Sequence, residues 1–143
     1  MSMTDGDRKL IALLGENARM PVAELARRLH LSRTTVQARL EKLEREGVIS
    51  GYAVKLSEAY LSGLVRAHLL ITIAPKSLAA VTAELAAIRE VTTLHSVSGS
   101  FDLIAVIAAP SIAELDRLID LIGELSGVER TLSSIILSTR ISR

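Results

Sequence analysis

The 143-residue sequence predicts an α+β protein in two parts, helical over its first third and mixed over the remainder. Three observations carry this. Apolar residues recur at helical spacing through residues 4–46, the spacing turns extended over Val48 to Leu56, and from Val65 onward extended and helical segments alternate.

The first helix has its apolar stripe at Leu10, Leu13 and Leu14, with Thr4 or Asp5 as cap and Gly15 near its end. Pro21 opens the second. Glu24 falls in its first turn, Val22, Leu25, Ala26 and Leu29 line one face, and it ends near His30. Ser32 caps a third helix with Val36, Leu40 and Leu43 inward, which stops at Gly47. Val48 to Leu56 reads as an extended hairpin turning at Gly51 and Tyr52, and Ser57 to Gly63 as a linker. Two similar units follow. Val65 to Ala74 is a strand, Ser77 to Glu90 a helix with Leu78, Val81, Leu85 and Ile88 inward, and Val91 to Ser98 a strand. Phe101 to Ala109 begins the second as a strand. Ser111 to Leu125 is its helix, with Ile112, Leu115, Leu118, Ile119, Ile122 and Leu125 inward, and Gly127 to Ile141 is extended. The order βαββαβ is the ferredoxin-like arrangement, and the N-terminal part has the ingredients of a winged helix-turn-helix. The expected division is therefore 1–56, a linker at 57–64, and 65–143.

Composition removes several function classes. Apolar residues make up 49% of the chain, yet the longest apolar run, Leu103 to Pro110, is far short of the ~20 residues a membrane span needs. That excess predicts burial against other subunits. Without cysteine there are no disulfides or thiolate sites, and one Phe, two Tyr and no Trp make a poor stacking platform for single strands. His30, His68 and His95 lack ligand spacing, so no metal is expected; nor is a cofactor, since no phosphate-binding glycine run is present. Asp116 and Asp120 share a helix face beside Arg117, which reads as solvated surface. The polar, acidic start MSMTDGDRK lacks the apolar core of a secretory signal, and a cytoplasmic protein is expected.

Net charge is only +1, but residues 19–45 hold seven basic against three acidic residues. This is a surface suited to phosphates. With its apolar stripe inward, the third helix turns Thr34, Gln37, Ala38, Glu41, Lys42 and Arg45 outward, with Arg33 at the flank. Short polar side chains and the small Ala38 near its start suit entry into a major groove of double-stranded DNA. The candidate DNA-binding residues are Ser32, Arg33, Thr34, Thr35, Gln37, Ala38 and Lys42. Ordinary solvated positions on a three-helix bundle would read the same way, and pattern alone leaves both open.

The run AELARRLHLSRTTVQARLEKLEREGVISGY, Ala23 to Tyr52, resembles the DNA-binding signature of the Lrp/AsnC feast-famine transcriptional regulators. The resemblance extends through KLSEAYLSG (Lys55 to Gly63), HSVSGSFDLIAVI and LSGVERTLSSIIL, covering almost the whole chain. It implies a helix-turn-helix over Ala23 to Leu43, a recognition helix over Ser32 to Glu46, and from Val65 a domain that oligomerises and senses small molecules, usually amino acids. Ser98 to Asp102 is the strongest local signal for that sensor. Gly99 leaves main-chain N–H groups accessible, Asp102 can accept from an ammonium, and an amino acid needs both partners. In the family this loop borders the effector site at a subunit interface; the matching positions are Gly99 and Asp102, with Thr131, Ser133, Ser134 and Ile135 as walls. Ser133 stands where the family often carries Thr, which puts ligand identity in doubt. A hairpin turn that Asp102 merely terminates is the structural alternative.

The expected function is sequence-specific transcriptional regulation by a homodimer able to build larger even-numbered oligomers, responsive to an amino acid and not enzymatic. Two rivals remain. Sirohaem decarboxylases have a similar two-domain layout but need a cationic pocket, whereas residues 61–143 carry seven basic against eight acidic residues. An architectural protein would organise DNA with little sequence choice.

Overall fold

The computed structural model describes residues 2–143, which divide into two compact units, one ending at Lys55 and the other running from Leu56 to Arg143. In the first, α1 (Asp5–Glu16), α2 (Val22–Leu29) and α3 (Arg33–Arg45) enclose a core of Leu10, Leu14, Leu25, Ala26, Val36 and Leu43. Each helix begins where its local chemistry directs. The Thr4 hydroxyl accepts from Asp7 N–H at 3.1 Å and the Asp7 carboxylate accepts from Thr4 N–H at 3.0 Å, closing a capping box on α1. Pro21 precedes α2, which ends on His30 in the left-handed conformation, and Ser32 caps α3 by accepting from Thr35 N–H. Only His30 to Ser32 separate α2 from α3.

The hairpin expected over Val48 to Leu56 is not formed as strands. Ile49 N–H bonds back to Leu43 O and the Tyr52 hydroxyl donates to Glu44, but Val54 is 84% exposed and no described strand pairs with the segment. A lone two-stranded hairpin is marginal in water. Within Ser57 to Gly63, read from the sequence as linker, a one-turn helix forms instead: α4 (Glu58–Leu61), capped by Ser57.

The second unit continues with β1 (Val65–Ile73), α5 (Leu78–Ala86), β2 (Val91–Ser96), β3 (Leu103–Ala109), α6 (Ile112–Gly123) and β4 (Val128–Ile136). The sheet order is β2-β3-β1-β4, with every neighbouring pair antiparallel. This is the βαββαβ order read from the sequence. Ala67, Leu69, Ile71 and Ile73 of β1 and Leu103, Ala105, Ile107 and Ala109 of β3 pack with Val81 and Leu85 of α5 and Leu115, Leu118 and Ile122 of α6. Both helices therefore cover one face. Leu78 and Ile112, expected inward, are 44% and 69% exposed, because each sits at the first position of its helix, before the stripe turns over the sheet. Gly127, at φ +96°, lies so close to α5 that a Cβ would meet Ser77 Cβ at 2.6 Å.

The opposite face is uncovered. Register places Leu70 beside Ile104 and Leu132, His68 beside Val106 and Ser134, and Arg66 beside Ala108 and Ile136. Leu132 is 54% exposed.

Asp7 is buried to 4% exposure, and its carboxyl is held below the ordinary value of 3.8. The Thr4 N–H is the main cause; burial opposes it, while the Thr4 hydroxyl, Lys42 and Arg39 assist. The stabilisation is complete above pH ~4 and disappears as the pH falls through the lower folded value. Thr4→Ala should cost about 1 kcal/mol in denaturant titrations. Asp7→Asn should remove part of the acid sensitivity of unfolding below pH 4.

Candidate DNA-reading helix and ligand site

The outward face of α3 is set by its buried residues, Val36 and Leu43. Arg33, Thr34, Gln37, Ala38 and Glu41 are exposed and, with Val22 at the start of α2, line a depression of about 440 Å³. Gln37 Nε2 donates to Glu41 Oε1 at 3.1 Å. The exposed Ser32 and half-buried Thr35 engage each other at the cap, their hydroxyls 2.8 Å apart.

Lys42 departs from the expected outward set. It is half-buried on the flank nearest α1, where its charge and that of Arg39 act on Asp7. The Arg39 guanidinium lies directly over Gly6, where a Cβ would leave no room for it. Arg27 and Arg28 both pair with Glu24, whose carboxyl is lowered chiefly by the Arg27 hydrogen bond and then by that from Arg28. Of the seven basic residues in 19–45, those exposed without an ion pair are thus Arg19, Arg33 and Arg45. Charge counting overstates the unpaired exposed charge, because Arg27 and Arg28 are tied to Glu24 and Arg39 and Lys42 lie half-buried.

In the second unit, Gly99 adopts φ +109° with open space around its Cα, so its backbone is accessible. Asp102 is half-buried and already engaged. Its Oδ2 accepts from Ile73 N–H at 2.7 Å, its N–H donates to Ile71 O, and its carbonyl accepts from Val97 N–H. The loop is thereby fastened to the end of β1.

The four expected walls do not share one side. Ser133 pairs with Leu69, Ile135 with Ala67 and Thr131 with Ile71, which puts them on the helix-covered side of the edge strand; Ser134, beside His68, belongs to the uncovered face. Period-two alternation forbids all four from lining one site in one chain. His68 and His95 lie on the uncovered face, His95 beside Ile104. Sequence reasoning missed Thr72, Phe101 and Arg130. The Arg130 guanidinium stacks 5.2 Å from the Phe101 ring centroid, Arg130 pairs in register with Thr72, and Thr72 Oγ1 is buried with no hydrogen-bond partner. A lone Phe beside the loop glycine was the available signal.

A tight helix-turn-helix followed by a ferredoxin-like sheet defines a class, the two-domain helix-turn-helix regulators. Residues 3–44 match the AsnC-type helix-turn-helix domain and residues 66–143 the Lrp/AsnC ligand binding domain. An uncharacterized HTH-type transcriptional regulator of Pyrococcus furiosus is 31% identical over 131 residues, 92% of this chain and 88% of that protein. Among solved structures, Escherichia coli AsnC superposes with a TM-score of 0.89 at 28% identity, covering 100% of this chain and 97% of that one. The leucine response regulatory protein of Mycobacterium tuberculosis does so at 0.83 and 33% identity, covering 98% and 96%. The chain belongs to the Lrp/AsnC family and is a transcriptional regulator, not an enzyme. Among the described residues, no helix is long and apolar enough to cross a membrane.

Asp102→Ala should lower stability by about 1–3 kcal/mol, since a partly buried Ile73 N–H loses its acceptor. Asp102→Asn, which keeps a carbonyl oxygen, should cost clearly less in the same urea titration.

Proposed function

We propose that the protein reads double-stranded DNA with the first two turns of α3 and adjusts that binding to a small amino acid held near Gly99 and Asp102. The observation that carries the first half is the exposed set Arg33, Thr34, Gln37 and Ala38 on one face of a capped helix. Gln37 has the paired donor and acceptor that read a base edge, and Arg33, Arg19 and Arg45 supply phosphate contacts. Ser32 and Thr35 support this face through the cap. Lys42 contributes at the flank only. A protein with this role works where the chromosome is, in the cytoplasm. Gln37→Ala should relax base preference by about 1–3 kcal/mol in competition binding, while Arg33→Ala should weaken all sequences alike and flatten the salt dependence by about one unit. An unchanged ranking of sites in Gln37→Ala would remove the base-reading role.

The ligand half rests on chemistry. A zwitterion beside an apolar strand needs both charges matched, because a buried unpaired charge costs several kcal/mol. The open backbone at Gly99 suits the carboxylate; the Asp102 carboxylate suits the ammonium through the oxygen that Ile73 does not hold. Thr131, Ser133 and Ile135 on one side of β4 and Ser134 on the other can line such a site only if it draws on more than one subunit. The name of the mycobacterial relative, a leucine response regulator, supports an amino acid.

The apolar uncovered face, Leu70, Ile104, Val106, Leu132 and Ile136, supports a homodimer and from it larger even-numbered assemblies. Two recognition helices one DNA turn apart, about 34–36 Å, would then call for a near-palindromic site. Sedimentation at micromolar concentration should show a dimer or higher, and Val106→Asp should dissociate it. A monomer throughout would defeat the symmetric reading. In a thermal-shift screen, a specific amino acid at 100 times its Kd should add about 2.7 kcal/mol, and Asp102→Asn should abolish that gain while leaving DNA binding by the free protein intact.

A further inference from the structure

The depression on α3 has two unlike halves. Val22 and Ala38 give it an apolar part, Arg33 and Thr34 also line it, and Gln37 and Glu41 stand one helical turn apart and hydrogen-bonded. An exposed glutamine amide can ordinarily rotate to present either end, so by itself it distinguishes bases poorly. Here the bond to Glu41 decides the matter. A carboxylate accepts and cannot donate, so only the Nε2 end of Gln37 can face it. One Nε2 proton is used, and the remaining N–H and the Oε1 lone pairs lie side by side on the outer edge of the amide. That pattern, one donor next to one acceptor, complements the N7 acceptor and N6 donor of adenine in the major groove. Guanine presents two acceptors there and would meet the Oε1 oxygen unfavourably. Thymine, the partner of adenine, adds a C5-methyl on the same groove edge, and Val22 and Ala38 form an apolar surface beside Gln37 that can receive it.

We infer that Glu41 is a positioning residue that locks the amide of Gln37 for an A·T pair, with a thymine methyl seated between Val22 and Ala38. The inference rests on α3 entering the major groove, and the experiment separates the two. On a helix in the groove the Glu41 carboxylate also repels the DNA backbone and lowers affinity for every sequence.

The test begins with selection of preferred duplexes from a random-sequence library by the full-length protein, followed by competition binding of Gln37→Ala, Glu41→Gln and the double variant. Thermal unfolding serves as a check, since both side chains are exposed. Expected is a loss of A·T preference at the same base pair in both single variants, about 5- to 150-fold, with no further loss in the double variant and with non-specific affinity raised in Glu41→Gln. Replacing thymine by uracil at the preferred pair or its neighbour should weaken wild-type binding about fourfold, the worth of one buried methyl. Uniform tightening by Glu41→Gln with an unchanged ranking, alongside a relaxed ranking in Gln37→Ala, would overturn the positioning role and leave groove reading by α3 intact. No sequence enrichment at all, or an unchanged ranking in Gln37→Ala, would overturn both. Indifference to uracil at every thymine would overturn the methyl seat.

Discussion

Two crossovers of the same hand, α5 from β1 to β2 and α6 from β3 to β4, put both helices of the second unit on one side of its sheet. The inward residues of β1 and β3 are buried as a result, Val65 only in part, and alternate residues of the same strands are left on a face that no described helix of this unit covers. That asymmetry is the constraint on which the rest depends. Leu70, Ile104, Val106 and Leu132 are too apolar for a permanently wet surface, and each is flanked by polar neighbours such as His68, His95 and Ser134. In the proposed homodimer a second copy covers this face.

The loop between β2 and β3 is fastened to the middle of the sheet. Asp102 closes the end of β1 through the Ile73 N–H and its own backbone bond to Ile71, so the loop and the central strand are held together. Nearby, Arg130 is held over Phe101 and Thr72 Oγ1 lies buried without a partner. Buried polar atoms in native proteins are nearly always satisfied, and an exception beside a candidate ligand loop is where exchangeable contacts are expected.

In the helical unit the basic residues divide by function. Arg39 and Lys42 hold the start of α1 through Gly6 and Asp7, and Arg27 and Arg28 are tied to Glu24 on α2. The exposed cations without an ion pair are few, around a face whose chemistry is mostly hydrogen-bonding and apolar. Such a face favours discrimination among bases over a strong grip on phosphate.

Outside Val48 to Gly63, the sequence by itself determined the order of helices and strands, the two-part division of the fold and the helix caps, because these follow from local periodicity and from residues that favour helix starts. Thr4, Pro21, Ser32 and Ser111 mark helix starts that need no tertiary information. The outward face of α3 was legible for the same reason, except at Lys42, where a partner on another helix outweighed the angular argument. Tertiary structure alone decided the rest. Val48 to Leu56 has strand propensity but pairs with no strand among the described residues, and Thr131 to Ile135 were near one another in sequence yet alternate across the sheet. The bond of Asp102 to Ile73 spans 29 residues, and the seat formed by Val22 with Ala38 joins two helices. Neither leaves a trace in spacing, since contacts across the fold depend on how elements pack and not on where they begin.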